Sequence, residues 1–363
     1  MSDTNDSYIV SALKYRPQEF SDVVGQEAIT LTLEKSIAQN KLAQALLFCG
    51  PRGVGKTTCA RILAKKINEG NQANVNDDFA FNIFELDAAS NNTVEDIRSL
   101  NDQVRIPPQV GSYKVYIIDE VHMLSLAAFN AFLKTLEEPP AHVIFILATT
   151  EKHKIIPTIL SRCQIYDFKR MTIEDTKKHL AAIAKDKGIK VEEEALQLIA
   201  QKSDGAMRDA LSLFDRMIAY SDTEVTAKLV ATHLNIVDTE TYFELVDLII
   251  KQQIPLLLVT LDQVLSSGYD GGQFLEGLAA HFRELLVCKD EQTLALLSAS
   301  ETNKERFQKQ SSQLEVPYVL LILDRIQEAA STYKNVRNKR LHLELCLMQL
   351  ASARAGEEKK KFA

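Results

Sequence analysis

The sequence predicts an α/β fold: a parallel sheet flanked by helices, followed by a small helical region and a larger all-helical one. Three observations carry that prediction. From about Ala45 to Phe168, short apolar runs alternate with amphipathic helical stretches, as strands buried under helices on both faces require. From Thr172 to about Ile236 helical signals continue with no strand signal. From about Val237 to Ala353 Leu, Ile and Val recur with a period near 3.6 and few glycines. At 363 residues the chain has ample length for two or three cores.

The first strand is the apolar run Ala45–Cys49, and Gly50-Pro51-Arg52-Gly53-Val54-Gly55-Lys56-Thr57 follows it as a complete G-x-x-x-x-G-K-[ST] loop. Apolar residues at helical spacing from Thr58 to Ile67 supply the helix that such a loop opens. Gly50, Gly53, Val54, Gly55 and Thr58 would turn backbone N–H groups toward one anion. Lys56 would neutralise β/γ-phosphates and Thr57 would hold Mg²⁺. A glycine-rich turn with a chance Lys-Thr is the plain alternative. The polar, Asn-rich stretch Glu69 to Asp78 reads as a surface loop.

Further strands are expected at Asn82–Leu86, Lys114–Asp119, His142–Ala148 and Gln164–Phe168, with helices near Thr93–Val104 and Ser125–Leu136. Pro107-Pro108 and Pro139-Pro140 punctuate the loops. A short helical segment is expected over Lys154–Leu160. Thr172 with Asp175 three residues on signals a helix start, and Gly188 its end. The last segment, Glu357 to Lys361, is charged and reads as a frayed tail.

Chemistry concentrates at strand ends. Asp119 closes an apolar strand, where a carboxylate orients Mg²⁺, and Glu120 beside it is placed to polarise a water for in-line attack on a γ-phosphate. Thr149-Thr150 ends the next strand, and a hydroxyl there would help position that water; β-branched residues favouring a strand end explain it equally well. Arg162, in Ser161-Arg162-Cys163, is either a solvated surface charge or an arginine finger supplied to a neighbour, a device worth on the order of 10³–10⁵ in rate. Arg208 in the first turn of a later helix would reach the γ-phosphate if that region folds back over the loop. His122 reads as structural or inter-subunit.

Composition narrows the class. No apolar run reaches membrane-spanning length, the acidic, polar beginning lacks signal-peptide character, and the five cysteines are scattered without a C-x-x-C. These features point to the cytoplasm, with no membrane, disulfide framework or zinc site. A net charge of −7 argues against wholesale coating of nucleic acid, not against a local groove. Arg98, Ser125, Lys134 and Thr135, on helices beside the nucleotide loop, are candidates for backbone contact, though each alone suits a solvated surface.

Taken together, Tyr15-Arg16-Pro17, Phe20 to Gln26, Gly50–Thr57, Glu85-Leu86-Asp87-Ala88-Ala89-Ser90 and Val94 to Arg98 resemble a AAA+ ATPase. So do Asp119-Glu120-Val121-His122-Met123-Leu124, Leu136-Glu137-Glu138-Pro139-Pro140, Ser161-Arg162-Cys163 and Arg208-Asp209-Ala210. The narrower likeness, over nearly the whole chain, is to the gamma/tau family of bacterial clamp loader ATPases. That resemblance implies ATP and Mg²⁺ as ligands and an ATP-driven machine that opens a sliding clamp (beta) and places it on primer–template DNA. It also implies assembly of several gamma/tau copies with delta and delta-prime subunits through a C-terminal collar. By the same likeness Arg162 serves the neighbouring site in trans, Thr150 and Arg208 act as first and second sensors, and Tyr15, Arg16, Val23 and Val24 lie near the adenine. Arg98, Ser125, Lys134 and Thr135 would track DNA. It implies a AAA+ domain over 1–170, a helical lid over 171–236, a collar over 237–355 and a flexible charged tail over 356–363.

The chain departs from the family pattern twice. The interval Asn68 to Ile83, where a four-cysteine zinc module is usual, has no cysteine, so no zinc is expected; and Thr93 stands where relatives place a basic residue. Two other readings stay open: a nucleotide-locked scaffold that never hydrolyses, and another AAA+ remodeller such as a branch-migration helicase.

Overall fold

The computed structural model describes residues 10–69, 82–109, 111–221, 224–234, 237–297 and 301–361. The expected surface loop, from residue 70 on, and most of the cysteine-free interval lie outside them. The chain forms two compact units, 1–190 with 199–223, and 191–198 with 224–363.

The first unit opens with α1 (Ser11–Lys14) and α2 (Glu27–Ala38) and continues with β1 (Ala45–Cys49), α3 (Lys56–Glu69), β2 (Ile83–Asp87), α4 (Val94–Val104), β3 (Lys114–Asp119) and α5 (Leu126–Glu137). Then come β4 (Val143–Thr149), α6 (Pro157–Leu160), β5 (Gln164–Asp167) and α7 (Ile173–Asp186). The five strands pair in parallel in the order β2-β3-β4-β1-β5. The inner strands of such a sheet must be apolar on both faces, while the edge strands β2 and β5 stay partly exposed. Every residue of β1 and β4 is buried, and along β1 Leu46 and Phe48 join one core while Ala45, Leu47 and Cys49 join the other.

Boundaries move by a residue where a cap replaces a helical position. Thr93 and Ser125 are N-caps of α4 and α5, and their hydroxyls accept from Asp96 N and Ala128 N. The expected helix Lys154–Leu160 is corrected: Lys152–Lys154 is a 3-10 turn, and α6 starts only at Pro157, whose missing N–H suits a first helical position.

The chain continues through β6 (Lys190–Val191), α8 (Glu193–Lys202), α9 (Met207–Tyr220), β7 (Glu224–Val225) and α10 (Ala227–His233). The continued helical signals are met by α8, α9 and α10, but β6 pairs with β7 where the sequence carries no strand signal. Two-residue strands are too short to show a period. The second unit adds α11 (Thr239–Ile250), α12 (Ile254–Ser266), α13 (Gly271–Val287), α14 (Glu301–Ser312), α15 (Val316–Thr332) and α16 (Lys339–Lys361) around one core that includes Phe243, Phe274, Phe282, Ile322 and Leu347. Helix α16 runs through Lys361, in keeping with the helix-favouring Ala, Glu and Lys of that stretch.

Candidate nucleotide-binding site

Sheet order builds the site. Because β4 lies between β1 and β3, the carboxyl ends of three parallel strands stand side by side, the crevice where ligands of such sheets bind. β1 delivers the glycine loop, β3 delivers Asp119 and Glu120, and β4 delivers Thr149 and Thr150. Lys56 is only 6% exposed and curls over its own loop, its Nζ donating to the carbonyls of Gly50 and Pro51 at 2.8 and 2.7 Å. Burial pulls its ammonium below the ordinary lysine value, opposed by Glu120 and Asp119. A buried cation held by carbonyls at the mouth of such a loop suits a polyanionic ligand. Thr57 Oγ1 donates to Asp119 Oδ2 at 2.6 Å, joining the two strand ends with hard oxygen donors of the kind Mg²⁺ takes.

Glu120 turns sharply, with φ +48°, and its N–H donates to Asp119 Oδ1 at 2.9 Å. Its Oε2 accepts from Thr150 Oγ1 at 2.9 Å and from Thr150 N at 3.3 Å. His122 Nδ1 lies 3.4 Å from the same oxygen and 3.0 Å from Thr149 Oγ1, while Nε2 lies 3.2 Å from Glu151 Oε1. The His122 side chain is buried inside its own chain, which favours the structural of its two sequence readings.

Lys56, Thr57, Asp119 and Glu120 line a cleft of about 970 Å³ that also takes in Tyr15, Arg16, Val23, Val24 and Arg208, whereas Thr150 stands outside the lining and reaches it through Glu120. The backbone N–H of Arg208 donates to Gly53 O at 3.4 Å, so the start of α9 does fold back over the loop. Arg16 Nε donates to Thr58 Oγ1 at 3.3 Å; burial, then Arg61, lowers its pKa, with Arg208 acting in the same direction. Cations that destabilise one another across a cleft favour an anion between them. Met171, Met207 and Leu211 are apolar members of the cleft lining that sequence reasoning missed, as it missed His179. It also missed Asp215, which accepts from Ser11 N at 2.6 Å, from Ser11 Oγ, and from Lys187 Nζ at 3.0 Å. No local pattern announces a partner 204 residues away.

Two groups of candidates lie apart from the cleft. Arg162 does not line it: its guanidinium donates to Glu137 Oε1 at 2.6 Å and to Thr158 O at 2.7 Å. Of the nucleic-acid candidates on the packed pair α4 and α5, Arg98, Ser125 and Lys134 are exposed and Thr135 is half-buried. Ser125 is also the cap of α5, and Thr135 donates to Asn101 Oδ1 at 2.7 Å. Thr93 is likewise committed to its capping box with Asp96, whose carboxyl it holds below the usual range. Among the described residues no group of three or more His, Cys, Asp or Glu is placed to hold a metal ion, and no helix is long and apolar enough to cross a membrane.

Comparison with known proteins gives three adjoining family matches. Residues 25–172 match "DNA polymerase III, delta subunit", residues 175–223 match "DNA polymerase III clamp loader subunit, ATPase lid domain", and residues 225–362 match "DNA polymerase III subunits gamma and tau domain III". The DNA polymerase III subunit tau of Bacillus subtilis is 38% identical over 93% of this chain and 62% of its own length. The subunit tau/gamma of Haemophilus influenzae is 37% identical over 94% of this chain and 51% of its own. The chain thus spans roughly half to two-thirds of the curated relatives it matches. Among solved structures, RuvB of Thermotoga maritima aligns at 23% identity and a TM-score of 0.49 over 70% of this chain and 89% of that one, too slight a likeness to carry an argument. With a five-stranded parallel sheet, a lid match and a helical C-terminal match in sequence, the chain is a AAA+ protein and belongs to the DNA polymerase III clamp loader gamma/tau family.

Proposed function

We propose that this chain is the ATPase motor subunit of a bacterial replicative clamp loader. In this reading ATP binding opens the sliding clamp and loads it on primer–template DNA, and hydrolysis releases both. The observation that most supports it is the convergence of Lys56, Thr57, Asp119 and Glu120 on one cleft, with Thr150 hydrogen-bonded to Glu120 from the adjacent strand end. The names of the relatives, all DNA polymerase III subunits, point the same way.

In this proposal the loop from Gly50 to Thr58 binds the phosphates, Lys56 turns its ammonium from its own carbonyls to them, and Thr57 with Asp119 holds Mg²⁺. The metal, when bound, neutralises charge developing on the phosphate oxygens. Glu120 accepts a proton from the attacking water, and Thr150 holds Glu120 and that water in register. Tyr15, Arg16, Val23 and Val24 surround the adenine, and Arg208 reports the γ-phosphate to the lid. Arg162 leaves Glu137 to complete the site of a neighbouring gamma/tau copy in a cytoplasmic assembly with delta and delta-prime. Arg98 and Lys134 are the better DNA-backbone candidates, being exposed cations; Ser125 and Thr135 would have to share their present partners. The organisation carried by this reading is AAA+ domain 1–170, lid 171–236, collar 237–355 and charged flexible tail 356–363.

ATP hydrolysis by the wild type and Glu120→Gln, each alone and with partner subunits, clamp and primed DNA, tests it. Turnover stimulated by clamp and DNA and lost in the variant is expected. No turnover in either protein returns the chain to the nucleotide-locked scaffold reading.

A further inference from the structure

The reaction proposed above uses Glu120 but leaves unexplained the buried imidazole beside it. His122 sits on the 3-10 turn Val121–Met123, and the left-handed backbone of Glu120 brings that turn back beneath the Glu120 carboxylate. Its side chain is 6% exposed, and both ring nitrogens have partners: Nδ1 faces Thr149 Oγ1 at 3.0 Å and Glu120 Oε2 at 3.4 Å, and Nε2 faces Glu151 Oε1 at 3.2 Å. Glu151 is anchored in turn. Its N–H donates to Thr149 Oγ1 at 3.0 Å, and Lys154 Nζ donates to its Oε1 at 2.9 Å. Thr150 and His122 both address Oε2 of Glu120, and among the described residues no hydrogen bond is formed to Oε1. One oxygen of the carboxylate is therefore fixed while the other is available to a water.

We infer that His122, braced by Glu151, is a positioning residue for Glu120: the pair sets the orientation of the water-activating carboxylate from behind, without touching nucleotide. This rests on the proposed function. A base must stand within hydrogen-bond reach of the proton it takes, and small misplacements of a reacting group cost on the order of 10²-fold in rate. A ring that packs only for stability would instead affect folding and ligand binding together. Placement of Glu120 makes His122 matter to turnover and not to affinity.

The experiment uses the full chain assembled with its partner subunits, clamp and primed DNA, and compares wild type, His122→Ala, His122→Asn, Glu151→Gln and Glu120→Gln. It reads kcat, KM, ATP affinity and melting temperature. His122→Ala is expected to lower kcat roughly 10- to 100-fold, short of removing the base outright, with ATP affinity within about twofold of wild type. His122→Asn, which keeps an amide nitrogen near the place of Nδ1, restores much of the loss, and Glu151→Gln shows a smaller loss of the same kind. Should His122→Ala fail to fold, Glu151→Gln against wild type gives the same kcat-against-KM reading: a lowered kcat at kept ATP affinity supports the inference and a wild-type kcat overturns it. If His122 variants keep wild-type kcat while Glu120→Gln abolishes turnover, the inference is wrong and the function stands. The inference is equally wrong if kcat, affinity and melting temperature fall together with no rescue by asparagine. Wild-type turnover by Glu120→Gln overturns the proposed function and the inference with it.

Discussion

Replacing Gly50 with alanine probes the nucleotide cradle at its tightest point. Gly50 has φ +146°, and a Cβ there would stand 2.4 Å from the carbonyl oxygen of Phe168 and 2.9 Å from its Cβ. The carbonyl is backbone, so no rotamer change relieves the contact. It is also tethered, because Phe168 N–H donates to Cys49 O at 2.7 Å and sets the spacing at the ends of β1 and β5. Two costs add: a backbone conformation that side chains rarely adopt, about 1–3 kcal/mol, and overpacking against a fixed neighbour, about 1–3 kcal/mol more. Gly55 serves as the internal control, with φ +100° but no atom within 4 Å of its added Cβ. Gly55→Ala therefore bears only the backbone cost. Urea unfolding followed by far-ultraviolet circular dichroism should show Gly50→Ala destabilised by about 2–6 kcal/mol and Gly55→Ala by about 1–3 kcal/mol. At about 2–4 °C per kcal/mol, the melting temperature of Gly50→Ala falls by about 5–20 °C. A Gly50→Ala protein with the wild-type midpoint, or one more stable than Gly55→Ala, would refute the contact argument.

Lys56→Ala should abolish ATP binding, and titration calorimetry giving near-normal affinity would contradict the role given to the buried ammonium. Arg162→Ala should leave ATP binding intact but eliminate turnover in the assembly; an isolated chain hydrolysing at the full complex rate counts against an action in trans. Asp215→Ala strands the Lys187 ammonium and the Ser11 N–H beside each other, at about 3 kcal/mol of stability. Asp215→Leu combined with Lys187→Met should recover part of that loss in chemical denaturation, and equal losses would argue that the ion pair is not the cause. His281 in the second unit is 3% exposed and burial pulls its pKa down to about 4. The unfolded chain then binds the proton first as pH drops, so the contribution of a neutral His281 is complete above about pH 6.5 and declines toward pH 4, by about 3 kcal/mol in all. His281→Phe should flatten the dependence of unfolding free energy on pH in that window; an unchanged slope rules His281 out as its source.

How far the residues alone reach differs from element to element. β1 and β4 are legible because both faces of a central parallel strand are buried, which leaves an unbroken apolar run. The cap Thr172 is legible because a side chain that satisfies an N–H three residues on acts within its own turn, whereas Thr93 and Ser125, expected as first helical residues, are caps as well. The short β6 and β7 escape because two residues carry no period.

The glycine loop and the acidic strand end could be recognised one at a time, each being a local pattern of residue type and spacing. That they share one crevice follows from strand order, with β4 between β1 and β3, and strand order is a property of the folded sheet. Ser11, Lys187 and Asp215 meet across 204 residues, and His122 reaches Glu151 across a neighbouring strand end. Pairings of that range depend on where whole elements pack, so only the tertiary structure decided them.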